Sequence, residues 1–117
     1  MTAFRLISLP AHAAFELVAG LALMATPFAF GFSPVGLVIA VTLGALVAGL
    51  ALSAASRDGR GLTIAHHVAV DRLVVVALAT GAAILAIHGD RSAAVALLAG
   101  AVTQLTLTLT TRYVGRA

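Results

Sequence analysis

The chain has 117 residues, of which 62% are hydrophobic and only 9% are Asp, Glu, Lys or Arg. Soluble domains average about 25% charged residues, and a small domain has proportionally more surface to cover, so this composition excludes an ordinary water-soluble domain. The net charge of +3 comes from seven Arg and no Lys. These Arg lie mostly at the ends of apolar runs, which argues against nucleic-acid binding. Without Cys, disulfides and thiolate-bound metals are excluded.

Four apolar runs follow one another along the chain, each close to the ~20 residues that cross a ~30 Å hydrocarbon core. They predict one transmembrane domain over residues 1–117, with helices at about 10–31, 34–55, 64–87 and 92–114. The expected N-caps are Ser33 before Pro34, then Thr63, then Asp90 or Ser92. Because the connections at 31–33 and 88–91 are short, the helices should form two antiparallel hairpins.

The last run contains a short stretch that also resembles a membrane β-strand. Thr106, Thr108 and Thr110 alternate with Leu, as polar and apolar residues do in a β-barrel. One such stretch is too little for a barrel, and a Thr hydroxyl in a membrane helix can bond its own backbone. We therefore predict an all-α membrane protein.

Arginine placement predicts the orientation of the chain. Five of the Arg fall on one side of the predicted bundle and only Arg91 falls on the other; the five are Arg5, Arg57, Arg60, Arg112 and Arg116. Cytoplasmic loops carry the excess of positive residues. Both termini are therefore expected in the cytoplasm.

The two halves of the chain, about 9–55 and 63–114, resemble each other at an offset of 55 residues. Residues 11–16 (AHAAFE) match residues 66–71 (HHVAVD), so both halves place His-x-x-x-carboxylate at the start of a helix. Each half contains two helices, so both halves enter the membrane from the same side. The pattern predicts a parallel repeat with a pseudo-twofold axis along the membrane normal.

A family resemblance rests on residues 9–20 (LPAHAAFELVAG), followed by Thr26-Pro27-Phe28 and residues 31–33 (GFS). This pattern resembles the SPW-repeat family of small bacterial membrane proteins, named for a Ser-Pro-Trp motif in a two-helix repeat. The resemblance covers residues 9 to about 52, and the second half only through His67 and Asp71. Thr and Phe replace Ser and Trp, and residues 80–82 (TGA) lack the proline. The resemblance implies two helical hairpins in the bacterial plasma membrane and brings no established activity.

Five polar residues within the apolar runs are the candidate site. His12 and Glu16 share one face of the first helix, because residues four apart lie one above the other. His67 and Asp71 do the same on the third helix, with Arg72 beside them. An ionised side chain in a bilayer costs several kcal/mol, so these groups should point inward and pair.

Three interpretations of this candidate site are open. The preferred one is a structural ion-pair network in which Glu16 or Asp71 binds Arg72. The second is a proton-coupled transporter that uses Glu16 or Asp71 as its carrier. The third is a zinc or iron site with His12, Glu16, His67 and Asp71 as ligands. The adjacent Arg72 argues against it, because the guanidinium would repel a divalent metal ion.

The preferred interpretation predicts a structural or accessory membrane subunit, or a homo-oligomer, that contacts the lipid bilayer. Neither a catalytic residue nor a cofactor is expected, and the chain is not expected to be an enzyme. Small residues at Gly44, Gly49 and Gly100 should allow close helix packing, within the chain or between subunits. Gln104 lies in the middle of the fourth helix and should form an interhelical hydrogen bond, worth about 1 kcal/mol.

Overall fold

The fold is a bundle of four helices. The computed structural model describes residues 6–54 and 64–112 of the chain. In this part, the helices are α1 (Leu9–Phe30), α2 (Pro34–Ala54), α3 (Ile64–Ile87) and α4 (Arg91–Thr110). Each is long and apolar enough to cross a membrane. The prediction of an all-α fold with four membrane-length helices is confirmed.

Local capping explains where three of the helices begin. The Ser8 side chain accepts a hydrogen bond from the Ala11 amide at the start of α1. The Ser33 hydroxyl accepts one from the Gly36 amide in the first turn of α2, and Asp90 accepts one from the Ala93 amide in α4. These side chains satisfy amides that have no partner within the helix. Thr63, the predicted cap of α3, lies outside the described residues.

Helix α4 ends at Thr110 rather than near the predicted residue 114, which lies outside the described residues. Thr111–Arg112 (β2) is extended and pairs in parallel with Ile7–Ser8 (β1), which precedes α1. The extended backbone at Thr111 (φ −90°, ψ 139°) cannot continue a helix. This short pairing holds the end of α4 beside the start of α1.

The alternating threonines of α4 lie in a helix, as predicted. The Thr106 hydroxyl donates to the Val102 carbonyl at 2.8 Å, and Thr110 donates to the Thr106 carbonyl at 2.7 Å. Each hydroxyl thereby bonds the carbonyl one turn earlier in its own helix. The polar side chains therefore need no partner strand, and the strand-like alternation has a helical explanation.

The surface of the bundle is apolar, and its interior contains both leucines and polar groups. Leu78, Leu85 and Leu97 are fully buried, whereas Leu73 and Val102 are more than half exposed. Large hydrophobic side chains are exposed on all four helices. Extensive apolar surface of this kind is typical of contact with lipid or with another membrane protein.

Within the first hairpin, α1 and α2 approach closely at two glycines. A Cβ atom at Gly44 would lie 2.7 Å from the Gly20 carbonyl oxygen and 2.6 Å from Met24 Cγ. The prediction of close packing at Gly44 therefore agrees with the structure, and its partner Gly20 was not anticipated. Close backbone approach through small residues is a common way to pack membrane helices.

The other two predicted packing glycines differ from Gly44. At Gly100, an added Cβ would make an ordinary 3.6 Å contact with Leu78 of α3. Gly49 is exposed, and an added Cβ there would meet nothing within 4 Å. Gly49 therefore packs against no helix in the described part of the chain, and its role in packing between subunits stays a prediction. At ~100° per residue, five positions rotate Gly49 by about 140° from Gly44, onto the outer face of α2.

A second polar contact joins the two hairpins at their turns, at the end where α2 and α4 begin. The Asp90 carboxylate accepts hydrogen bonds from the Ser33 hydroxyl at 2.6 Å and from the Ser33 amide at 2.8 Å. We call this pair the turn latch. Asp90 therefore caps its own helix and also binds the turn of the other hairpin, a role that the sequence did not indicate.

Candidate functional site

Five buried polar side chains meet in the interior, towards the end of the bundle where α1 and α3 begin. We call them the central cluster: His12 and Glu16 of α1, His67 and Asp71 of α3, and Gln104 of α4. The most exposed of them, His67, is only 3% exposed. The apolar pattern forces this arrangement, because these are the polar residues on the inward faces of their helices at that depth.

The two imidazoles lie between the two carboxylates. His12 Nε2 is 3.2 Å from Asp71 Oδ2 and 3.5 Å from Glu16 Oε2. His67 Nε2 is 3.3 Å from Asp71 Oδ2 and 3.5 Å from Glu16 Oε1. A charge-assisted hydrogen bond between such groups is usually 2.7–2.9 Å long. Each imidazole nitrogen is thus nearly equidistant from two carboxylates instead of being tightly bonded to one.

Gln104 of α4 connects the carboxylate of α1 with the carboxylate of α3. Its amide nitrogen donates hydrogen bonds to Glu16 Oε2 at 2.7 Å and to Asp71 Oδ1 at 3.1 Å. The predicted interhelical bond of Gln104 is therefore present twice. The sequence placed Gln104 among the packing residues, whereas the structure makes it part of the central cluster.

Thr111, the residue that directly follows α4, orients His12. The Thr111 hydroxyl donates its single proton to the Leu107 carbonyl, and His12 Nδ1 lies 2.7 Å from the same oxygen. The hydroxyl oxygen can then only accept, so His12 carries a proton on Nδ1 and directs Nε2 at the carboxylates. Sequence reasoning missed Thr111, because only the pairing of β1 with β2 brings it beside His12.

Arg72 does not join the central cluster. Its side chain is exposed, and the ion pairs of the cluster among the described residues are those between the two His and the two carboxylates. The expectation that Arg72 neutralises Glu16 or Asp71 is therefore not met. Consecutive residues of a helix point about 100° apart, so Arg72 turns outward when Asp71 turns inward.

The chemistry of the central cluster is that of a buried acceptor for positive charge. Two carboxylates and two imidazoles offer one donor atom each, and these atoms all lie within 4.8 Å of one another. The rings of His12 and His67 meet edge to face, with centroids 5.8 Å apart. Such a cluster can hold protons on its imidazoles or a cation among its four donors.

One groove of the bundle is separate from the central cluster. It has a volume of about 560 Å³, runs between α1 and α4, and is lined mainly by small apolar residues, with Arg91 and Ser92 at one end. None of the cluster residues lines it. It is a feature of the apolar outer surface and leaves the polar cluster enclosed.

Comparisons with known proteins leave the site to be interpreted from its own geometry. No family model matches the chain, and neither the curated proteins nor the solved structures contain a match.

Proposed function

We propose that this chain is a structural or accessory subunit of the bacterial plasma membrane, in which the central cluster holds two helical hairpins together. The observation that carries the proposal is the burial of five polar groups from α1, α3 and α4 at one point of an otherwise apolar bundle. Buried polar groups that bond one another favour a single arrangement of the helices that carry them.

The division of contacts within the bundle supports this role. Inside the first hairpin, α1 and α2 are already in close backbone contact at Gly20 and Gly44. Between the hairpins, polar contacts act at two levels: the central cluster near one end and the turn latch at the other. In lipid there is no hydrophobic driving force between helices, so polar contacts and packing carry the association.

The apolar outer surface supports a partner within the membrane. Large side chains such as Phe28, Leu52 and Val76 are more than 60% exposed. Four helices of about 20 residues leave much of this surface for lipid, for a second copy of the chain or for another membrane subunit. The duplication of His-x-x-x-carboxylate, whose two copies meet in the central cluster, fits the proposed internal repeat and the SPW-repeat resemblance.

The experiment for this proposal replaces Gln104 by Leu. The change leaves Glu16 and Asp71 without the amide that bonds both, so the protein should lose about 1–2 kcal/mol of stability. Its melting temperature in detergent micelles should fall by several degrees. Thr103→Val is the matched control, because Thr103 is the exposed neighbour on the same helix, and it should melt like the wild type.

An unchanged melting temperature for Gln104→Leu would contradict the structural role.

The competing function is a proton-coupled transporter that uses Glu16 or Asp71. It predicts pH-dependent flux in proteoliposomes that Glu16→Gln abolishes while the fold persists. The burial of both carboxylates at 0% exposure favours the structural role, because a carrier must reach water.

A further inference from the structure

The central cluster has an excess of negative charge when its imidazoles are neutral. Glu16 and Asp71 then carry two negative charges, and Gln104 carries none. Arg72, the cation nearest in sequence, is exposed, so the repulsion that argued against a metal ion is absent from the site. One divalent cation would neutralise both carboxylates within the bundle.

Three distances between nitrogen and oxygen donors of the central cluster are close to those around a tetrahedral metal ion. Zinc binds His nitrogen and carboxylate oxygen at about 2.0–2.1 Å, and a tetrahedron with such bonds has edges of about 3.3–3.4 Å. His12 Nε2 and His67 Nε2 lie 3.2 and 3.3 Å from Asp71 Oδ2, and His67 Nε2 lies 3.5 Å from Glu16 Oε1. They fit ligands that share a common ion better than direct hydrogen bonds of 2.7–2.9 Å.

Gln104 occupies one oxygen of each carboxylate and leaves the other oxygen for a different partner. It bonds Glu16 Oε2 and Asp71 Oδ1. This leaves Glu16 Oε1 beside His67 Nε2 and Asp71 Oδ2 beside both imidazoles. Glu16 Oε1 is fully buried and accepts no hydrogen bond from the described part of the chain. A buried carboxylate oxygen of this kind, next to an imidazole nitrogen, is a position that a cation would satisfy.

Thr111 supplies the outer contact that metal-binding histidines usually have. Such a His commonly donates its second ring N–H to a nearby oxygen, which fixes the tautomer that binds the metal. His12 Nδ1 is bonded to Thr111 in this way, because the threonine proton is already given to Leu107. The Nε2 lone pair of His12 is therefore presented to the centre of the cluster.

We propose that the central cluster binds one divalent transition-metal ion, with His12 Nε2, His67 Nε2, Glu16 Oε1 and Asp71 Oδ2 as its ligands. A buried set of two nitrogens and two oxygens suits zinc, with ferrous iron and manganese as the competitors. This inference rests on the structural role proposed above, since the ion would join α1 to α3 and thereby strengthen the junction between the hairpins.

The test measures metal bound to the full chain in detergent. The protein is stripped with a chelator, incubated with Zn²⁺, desalted and analysed for metal by mass spectrometry. We expect one zinc per chain in the wild type and at least a tenfold loss in His12→Ala and in His67→Ala. His66→Ala is the matched control, because His66 precedes His67 and is exposed; it should bind like the wild type. Parallel incubations with Fe²⁺ and Mn²⁺ establish the preference.

A second measurement on the wild type does not depend on the folding of any variant. Co²⁺ added in place of zinc should give the intense visible absorption of a tetrahedral cobalt centre, and excess Zn²⁺ should remove it. A wild-type chain that binds no metal, or one whose metal persists in both His variants, would overturn the metal site. In the first case a destabilised Gln104→Leu would still support the structural role, so the two proposals fail separately.

Discussion

Asp71 and Arg72 are neighbours in sequence and lie in different environments. Asp71 is fully buried in the central cluster, and Arg72 is exposed. A residue-by-residue reading treats the two as an ion pair, but helix geometry turns them about 100° apart. The same geometry unites His12 with Glu16, and His67 with Asp71, at a spacing of four. Spacing along the helix, rather than proximity in sequence, decides membership of the cluster.

The contribution of Asp90 to stability depends on pH. Hydrogen bonds from the side chain and the backbone of Ser33 hold the pKa of Asp90 below its ordinary value of 3.8. A carboxylate with a lowered pKa stabilises the fold above its ordinary pKa, and that contribution disappears as the pH falls through the lowered pKa. The turn latch should therefore weaken only in strongly acidic solution.

We predict that Asp90→Ala lowers the stability of the protein at neutral pH by about 1 kcal/mol, the usual cost of losing an N-cap. Thermal melts from neutral to strongly acidic pH provide the measurement. The difference between variant and wild type should shrink at the acidic end, where the wild-type carboxylate is protonated. Ser92→Ala, at the alternative cap position, is the control and should leave the melts unchanged. An Asp90→Ala protein that matches the wild type at neutral pH would exclude the latch.

Among the elements, the helix boundaries follow from local chemistry wherever a cap is present. Ser33 and Asp90 were identified as caps from the sequence, and α2 and α4 begin beside them. The end of α4 was placed four residues too late, because the sequence has no glycine or proline between Thr110 and Gly115 to end a helix. The chain leaves the helix there to pair with β1, and this pairing joins residues near opposite ends of the sequence.

Packing between α1 and α2 predicts different changes in stability when two glycines of α2 are each replaced by alanine. Gly44→Ala should destabilise the protein by about 1–3 kcal/mol, because the new methyl group would overlap the Gly20 carbonyl at 2.7 Å. Gly49→Ala should be neutral or stabilising by up to about 1 kcal/mol, since Ala is the better helix former and nothing lies within 4 Å. Melting temperatures in detergent compare the two. If both changes had the same effect, the close approach at Gly44 would be disproved.

For the whole molecule, the proposed membrane orientation can be tested with single cysteines, because the natural chain contains none. His88→Cys lies in the exposed turn between α3 and α4, and Gly115→Cys lies near the C-terminus. If both termini are cytoplasmic, a membrane-impermeant maleimide added to intact spheroplasts should label the first and spare the second. Both should react after the membrane is disrupted. The reverse pattern in intact spheroplasts would invert the orientation.

The sequence by itself determined the four membrane-length helices of the described residues and most members of the central cluster. Apolar runs of about 20 residues are long enough to cross a membrane, and polar residues on such runs are expected to meet in the interior. Spacing of four residues was enough to select His12, Glu16, His67 and Asp71.

Only the tertiary structure decided which groups complete the cluster and which stay outside it. Gln104 and Thr111 reach the cluster from α4 and β2, across 88 and 99 residues of sequence respectively, and Arg72 turns away from it. Contacts at that separation depend on how the hairpins dock, and local periodicity carries no information about docking. The ligand geometry that favours a metal ion arises from the same docking.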